Sequence, residues 1–391
     1  MICLLSLVHG KEIGRSKFKS KDNGVFNVID YRAVGDGQTD DTAAFEKAWK
    51  AMCNTRGDAP TLVVPKEKTF LVHSVAFNGP CKSGNPHVQI DGIIMAPAKS
   101  DWTGHFDRWI QFVNVQGLVI NGSGRLDGQG STWWDHREKR QPKPTALTLA
   151  HCDGCRLSGL THVNSQRNHI QIATCNDVII SHINISAPGD SHNTDGVDIS
   201  RSTNIRLENS FIGTGDDCVA INDGCKFINI TNVACGPGHG ISIGSLGGDS
   251  ESFQTVEEVH VRNCNITDSM NGARIKTWQG GKGSARNISF EQLTLVNVDH
   301  PIIIDQRYYV YGSTANEGSA IEISGVTFSG IQGTTSRERA IILDCSPFAP
   351  CANIFMNDVN IQSTEPGAEI ESYCVNAHVT STETFPKISC Q

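Results

Sequence analysis

From roughly residue 110 onward the chain is built of short β-rich triplets that recur in two interleaved series. One series reads Val178-Ile179-Ile180, Ile205-Arg206-Leu207, Ile228-Asn229-Ile230, Val259-His260-Val261 and Ile288-Ser289-Phe290, and continues at Ile321-Glu322-Ile323 and Ile354-Phe355-Met356, in steps of 23 to 33 residues. The second reads Ile170-Gln171-Ile172, Val197-Asp198-Ile199, Val219-Ala220-Ile221, Ile241-Ser242-Ile243, Ala273-Arg274-Ile275 and Ile302-Ile303-Ile304. Interleaved short strands with turn residues between them describe the coils of a solenoid, each coil giving one strand to each of several parallel sheets. Alternation turns the outer two side chains of a triplet inward and the middle one outward. Sandwiches and propellers fit less well, because they need antiparallel hairpins with their own turn chemistry. The expectation is an all-β parallel β-helix.

Residues 39–53 carry the one strong helix signal. Thr39 or Asp40 can cap its start, and Phe45, Ala48, Trp49 and Met52 fall on one face. This helix is expected to plug the open end of the solenoid. A chain of 391 residues could hold several ordinary domains, but a solenoid grows along one axis without dividing, so residues 23–391 are expected to form one domain. Residues 1–22, with the apolar run Ile2 to Val8, read as a signal-like leader. Fourteen cysteines and sequons at Asn121, Asn184, Asn229, Asn265 and Asn287 point to the secretory route and the cell exterior. No stretch is long and apolar enough to span a membrane. The net charge of −8 argues against a general nucleic-acid binder, and requires any polyanionic substrate to meet a local basic patch. Nothing signals an oligomer, and a monomer is the default.

Two residues before successive strands of the second series stand Asp195, Asp217 and His239, each 22 residues from the next. Equal spacing means equivalent places on three coils, stacked about 4.8 Å apart. Asp216 adjoins Asp217, and the next coil brings Arg274 and Lys276 outward on the same sheet. Taken singly, an aspartate at a turn is more often an Asx-turn residue, and a lone histidine is more often structural. Turn chemistry does not explain the aligned set. Crowded carboxylates cannot all ionise freely, so one is expected to carry a proton as an acid. Glycoside hydrolysis needs that pair of roles: a carboxylic acid for the leaving oxygen and a carboxylate for water or carbon. The two cations suit carboxylates on an acidic sugar.

The stretches Asn193-Thr194-Asp195, Gly215-Asp216-Asp217, Gly238-His239-Gly240 and Arg274-Ile275-Lys276 resemble, in order, those of the polygalacturonase family of glycoside hydrolases in its plant-type form. The similarity runs from about Phe26 to the carboxyl terminus. The resemblance implies a right-handed, single-stranded parallel β-helix of about ten coils that cleaves α-1,4-galacturonosyl links with inversion and without metal or other cofactor. It implies Asp216 as general acid, Asp195 and Asp217 as activators of water, and His239 as the group that tunes the acid. It implies Asn193, Arg274, Lys276 and Tyr308 as substrate-binding residues, pectin as substrate, and polygalacturonase-inhibiting proteins as partners. It also implies the disulfides Cys53–Cys81, Cys218–Cys235, Cys345–Cys351 and Cys374–Cys390. Cys152, Cys155, Cys175, Cys225 and Cys264 then remain, with burial inside a coil as their expected fate; zinc at Cys152 and Cys155 lacks further partners at finger spacing. Tyr309 stands where plant members commonly have cysteine, which puts the geometry of that loop in question.

Stacked coils place carboxylates closer than the roughly 6.5 to 9.5 Å of inverting enzymes, so spacing alone points to retention; the expectation taken here is inversion, with the family. The coils from Asp195 to Lys276 carry no long insertion to wall a groove, which favours endo action, with the loop between Gly247 and Val256 as the place where that fails. The competing readings are an exo-acting enzyme, a hydrolase of xylose-decorated or rhamnose-containing pectin, a calcium-dependent lyase and a catalytically silent wall-binding solenoid. Trp278 reads equally as a sugar platform or as rim packing and stays outside the expected site.

Overall fold

The computed structural model describes residues 24–134, 142–248, 252–308 and 320–391. The leader segment and Tyr309 lie outside the described residues. The chain winds as a parallel β-helix with the right-handed crossover usual for parallel strands. Eleven parallel strands form one sheet, from Val75–Asn78 to Glu371–Val375, and carry the whole second triplet series. Its register joins Ile170, Val197, Val219, Ile241, Ala273 and Ile302 in one inward row. All six are fully buried, because each stacks on its counterpart above and below.

The remaining strands form the other walls. Val178, Ile205, Ile228, Val259 and Ile288 are in register, as the first series requires. The next member differs from the expectation: Ile288 pairs with Val326, while Ile321 and Ile323 pair with Gly283 and Ala285. Both triplets lie on one strand, Ala320–Thr335, and both present buried apolar residues. Pattern alone could not choose between them. Ile354 then follows Val326.

The helix spans Thr42–Cys53 and starts later than expected. Asp36–Asp40 is a strand instead, Asp40 accepts a hydrogen bond from the Thr42 N–H at 2.9 Å, and the Asp41 carboxylate turns away to bond the backbone N–H groups of Val34 and Gly35. The helix does plug the end of the solenoid. Phe45 packs edge-on to Phe70, and Trp49 packs against Phe77 and Phe112. Cys53–Cys81 ties its end to the first coils.

All four implied disulfides are present. The five remaining cysteines among the described residues are buried thiols. Three serve the corners of neighbouring coils: the Cys152 N–H donates to the Cys175 sulfur, the Cys175 N–H donates to Ser202 Oγ, and Cys225 donates to the Ile199 carbonyl. Burial pushes the Cys175 and Cys225 thiols up to about 12, which keeps them unreactive.

Two buried histidines interrupt the apolar interior. His162 stands in the inward row between Leu126 and Ile185, and His169 is fully buried in the turn before Ile170. Neither imidazole has a hydrogen-bond partner among the described residues. Burial holds His162 down at about 3 and His169 well below its ordinary value, the latter helped by the neighbouring His162. The folded chain therefore excludes protons that the unfolded chain binds below about pH 6.5. Stability from these residues is present above that pH and is lost as pH falls toward the folded value of about 3. In urea denaturation between about pH 6 and pH 4, His162→Leu is expected to flatten the loss of stability by about 1.4 kcal/mol per pH unit. An unchanged slope would contradict a neutral His162.

Candidate active site

The outer face of the eleven-stranded sheet carries the candidate site. Asp195, Asp217 and His239 each lie two residues before paired strands, at Val197, Val219 and Ile241. They stand in one row across three coils, and Asn271 continues it by donating to the His239 carbonyl at 3.2 Å. Tight turns make this possible. A Cβ on Gly215 would fall 2.1 Å from the Ser191 carbonyl oxygen, and one on Gly240, at φ +77, would fall 2.1 Å from that of Asn271. Only glycine fits beside Asp216 and His239. The Cys218–Cys235 disulfide joins the residue after Asp217 to the coil that carries His239.

Asp217 is the best-held group of the cluster, with only 1% of its surface exposed. One carboxylate oxygen accepts from Ser242 Oγ at 2.8 Å and from the Arg274 guanidinium, and the other accepts from Lys276 Nζ at 2.8 Å. Arg274 also donates to Ser242 through Nε at 2.8 Å. Both cations point outward from the core, as alternation requires, yet both are buried by this ion cluster. Asp216 takes a different set of partners: His239 Nδ1 at 3.0 Å and Asn193 Nδ2 at 3.3 Å. Tyr308, on the next coil, receives Lys276 Nζ over its ring at 5.5 Å. The eight expected residues thus converge on one patch.

The carboxylates do not share their charge equally. Burial, and then the negative charges of Asp216, Asp217 and Asp198, push Asp195 well above the usual carboxylate range. Burial also works upward on Asp216, but the hydrogen bond and charge of His239, the charge of Lys276 and the Asp217 N–H outweigh it and hold Asp216 at about 2. The environment therefore favours the protonated form at Asp195 and the ionised form at Asp216.

Two residues join the site that were not singled out from sequence. Ser242 bridges Arg274 and Asp217. Asp198 adds a fourth carboxylate to the floor, bonded by Asn168 Nδ2 at 2.5 Å and Asn222 Nδ2 at 2.7 Å. Burial lifts it to about 6, against the charge of Arg167 and the two amides. Each is the outward middle residue of a second-series triplet, so the same alternation that exposed Arg274 could have found them. Asp216, Asp217 and His239 each present an atom within 4.8 Å of the others. A divalent ion there would compete with the two cations already bonded to Asp217. Because the His239 hydrogen bond is the strongest influence lowering Asp216, His239→Ala is expected to raise the Asp216 titration. Carbon-13 NMR of aspartate-labelled protein, with Asp216→Asn to assign the resonance, checks the direction.

The protein-family model described as glycosyl hydrolases family 28 matches residues 53–384. A probable polygalacturonase of Arabidopsis thaliana is 47% identical over 374 residues, covering 94% of this chain and 81% of that protein. A polygalacturonase of Persea americana is 43% identical over 382 residues, covering 95% and 81%. Among solved structures, the endo-xylogalacturonan hydrolase of Aspergillus tubingensis superposes with a TM-score of 0.79 at 25% identity, covering 94% of this chain and 98% of that one. A family match over most of the chain, with relatives this similar across nearly all of it, leaves one assignment: the protein belongs to the glycosyl hydrolases of family 28.

Proposed function

We propose that the protein is a polygalacturonase that hydrolyses α-1,4-galacturonosyl links in de-esterified pectin, cutting within the polymer. The observation that carries this reading is the ion cluster itself. Arg274 and Lys276, bonded to Asp217, stand beside the Asp216–His239 pair. Cations at that place suit a sugar whose own carboxylate lies next to the scissile bond. The curated relatives named polygalacturonases support the same substrate class.

In this reading Asp216 protonates the glycosidic oxygen as the bond to C1 breaks. A water held between Asp195 and Asp217 attacks C1 from the opposite face and gives up a proton, so the anomeric configuration inverts. The acid must gain a proton that it lacks at rest. A galacturonate carboxylate drawn to Lys276 and Arg274 supplies the cause, since it offsets the positive charge that lowers Asp216 and adds a negative charge beside it. The proton on Asp195 then has a reason to move to Asp216, which leaves Asp195 ready to accept one from water. His239 and Asn193 hold the Asp216 carboxyl toward the bond.

We place the protein outside the cell, with glycans on some of its sequons. Asn184, Asn229 and Asn265 are exposed, whereas the Asn121 side chain is bonded to His87 and that of Asn287 to Glu258, each at 2.8 Å. Four disulfides suit an oxidising compartment.

Wild type is expected to release reducing ends from de-esterified polygalacturonate with calcium chelated, and to form no ultraviolet-absorbing unsaturated product. Asp216→Asn should lose activity by a factor of about 10² to 10⁴. Viscosity falling ahead of reducing ends marks endo action, and the initial anomer read by NMR tests inversion. A folded wild type that makes no reducing ends sinks the assignment, and unsaturated product would make it a lyase.

A further inference from the structure

Resting on the reading of the site as a galacturonan cleft, we infer that Trp278 is a sugar-binding residue, whose indole stacks on the galacturonosyl ring lying beside Lys276 and Tyr308.

Strand alternation puts the residue in place. Asn271–Trp278 is one strand, Thr277 is fully buried in the interior, and Arg274, Lys276 and Trp278 therefore leave the same outer face. Beyond a register shift after Lys276, which pairs with Asp305, Trp278 pairs with Tyr308 on the next coil. The two rings meet edge-on, with centroids 6.2 Å apart and planes at 78°. Lys276 Nζ lies over the Tyr308 ring at 5.5 Å, so ammonium, phenol and indole stand side by side. From behind, the indole is backed by main chain: a Cβ on Gly248 would come within 3.4 Å of its Nε1. The ring is thus propped by Gly248 and Tyr308, and it remains half-buried.

The chemistry fits the sugar. An axial hydroxyl at C4 leaves the hydrogens on C3, C4 and C5 of a galacturonosyl ring together on one face, an apolar patch that suits an aromatic plane. The carboxylate at the ring edge then lies toward Lys276, and the rigid indole adds contact area at little entropic cost. The ring accordingly selects a galacto-configured uronosyl unit on the Lys276 side of the scissile bond, while the ammonium reads its charge.

The test separates stacking from packing. Trp278→Leu keeps apolar bulk against Gly248 and Tyr308 but removes the flat ring, and Trp278→Phe restores one. On tetragalacturonate, the leucine variant is expected to raise KM about tenfold, with kcat within about twofold and the melting temperature near that of wild type. Phenylalanine is expected to recover most of the loss. The other five tryptophans all precede residue 135, so a tetragalacturonate titration of the inactive Asp216→Asn protein should change tryptophan fluorescence. Asp216→Asn/Trp278→Phe should show no such change. An unchanged KM in the leucine variant overturns the inference. So does a KM rise that phenylalanine fails to rescue, or a fluorescence response that survives in the double variant. Wild-type turnover of polygalacturonate tests the enzyme assignment separately and does not depend on Trp278.

Discussion

In a parallel sheet held in register, a side chain's place on one coil fixes where its counterpart on the next coil stands, about 4.8 Å along the axis. The sheet that bears the site keeps that register through Val197, Val219, Ile241 and Ala273, and shifts only beyond Ile243 in the last of these pairs. Residues far apart in sequence then meet at predictable places. Arg274 reaches Asp217 across 57 positions, and Lys276 reaches it across 59. The turns carry the cost of this alignment. Gly215 and Gly240 admit neighbouring backbone where a methyl group would collide, and Cys218–Cys235 holds two of the coils together immediately below the acids.

Placing three carboxylates on adjacent coils creates an electrostatic problem that the same register solves. Burying the Asp217 charge costs several kcal/mol of hydration, and removing one partner of such a buried pair typically costs about 3 to 5 kcal/mol. Two cations and a hydroxyl surround it, so the group is paired on both oxygens. This changes the view of Arg274 and Lys276. They are first the counterions of Asp217, and a substrate carboxylate must share them rather than find them free. A protein of net charge −8 can present a cationic patch to a polyanion in this way, because the patch is local and anchored from below.

Much of this was legible in the sequence because it follows from period and spacing. The second triplet series, the 22-residue steps and the outward alternation of Arg274 and Lys276 are one-dimensional facts, and the sheet preserves them. The failures have physical causes. Ile321 was read where Val326 belongs because both face inward on one long strand, and an apolar pattern does not report register. The helix begins at Thr42 because Asp41 is drawn off to the backbone of Val34 and Gly35, a contact between segments that capping rules do not see. His162 and His169 carry no signal in the triplet pattern, and only the closed coil shows them buried. The opposed shifts of Asp195 and Asp216 depend on which partners each acquires in three dimensions, so crowding predicts one protonated carboxylate without saying which.

The site lies well inside the solenoid, away from both of its ends. A solenoid coil is stabilised chiefly by its two neighbours, so disorder enters from the ends. The candidate residues occupy the fifth to ninth strands of the eleven-stranded sheet. On one side the helix and its Phe45 and Trp49 close the first coils. On the other, Cys374–Cys390 and the backbone bonds of Gln391 to Cys374 and Asn376 tie down the last strand. Acid–base geometry tolerates errors of only about half an ångström, and a cluster assembled from five coils would inherit the motion of any one of them. Seating it among complete coils, with both ends fastened, lets side chains from separate turns act as one preorganised group.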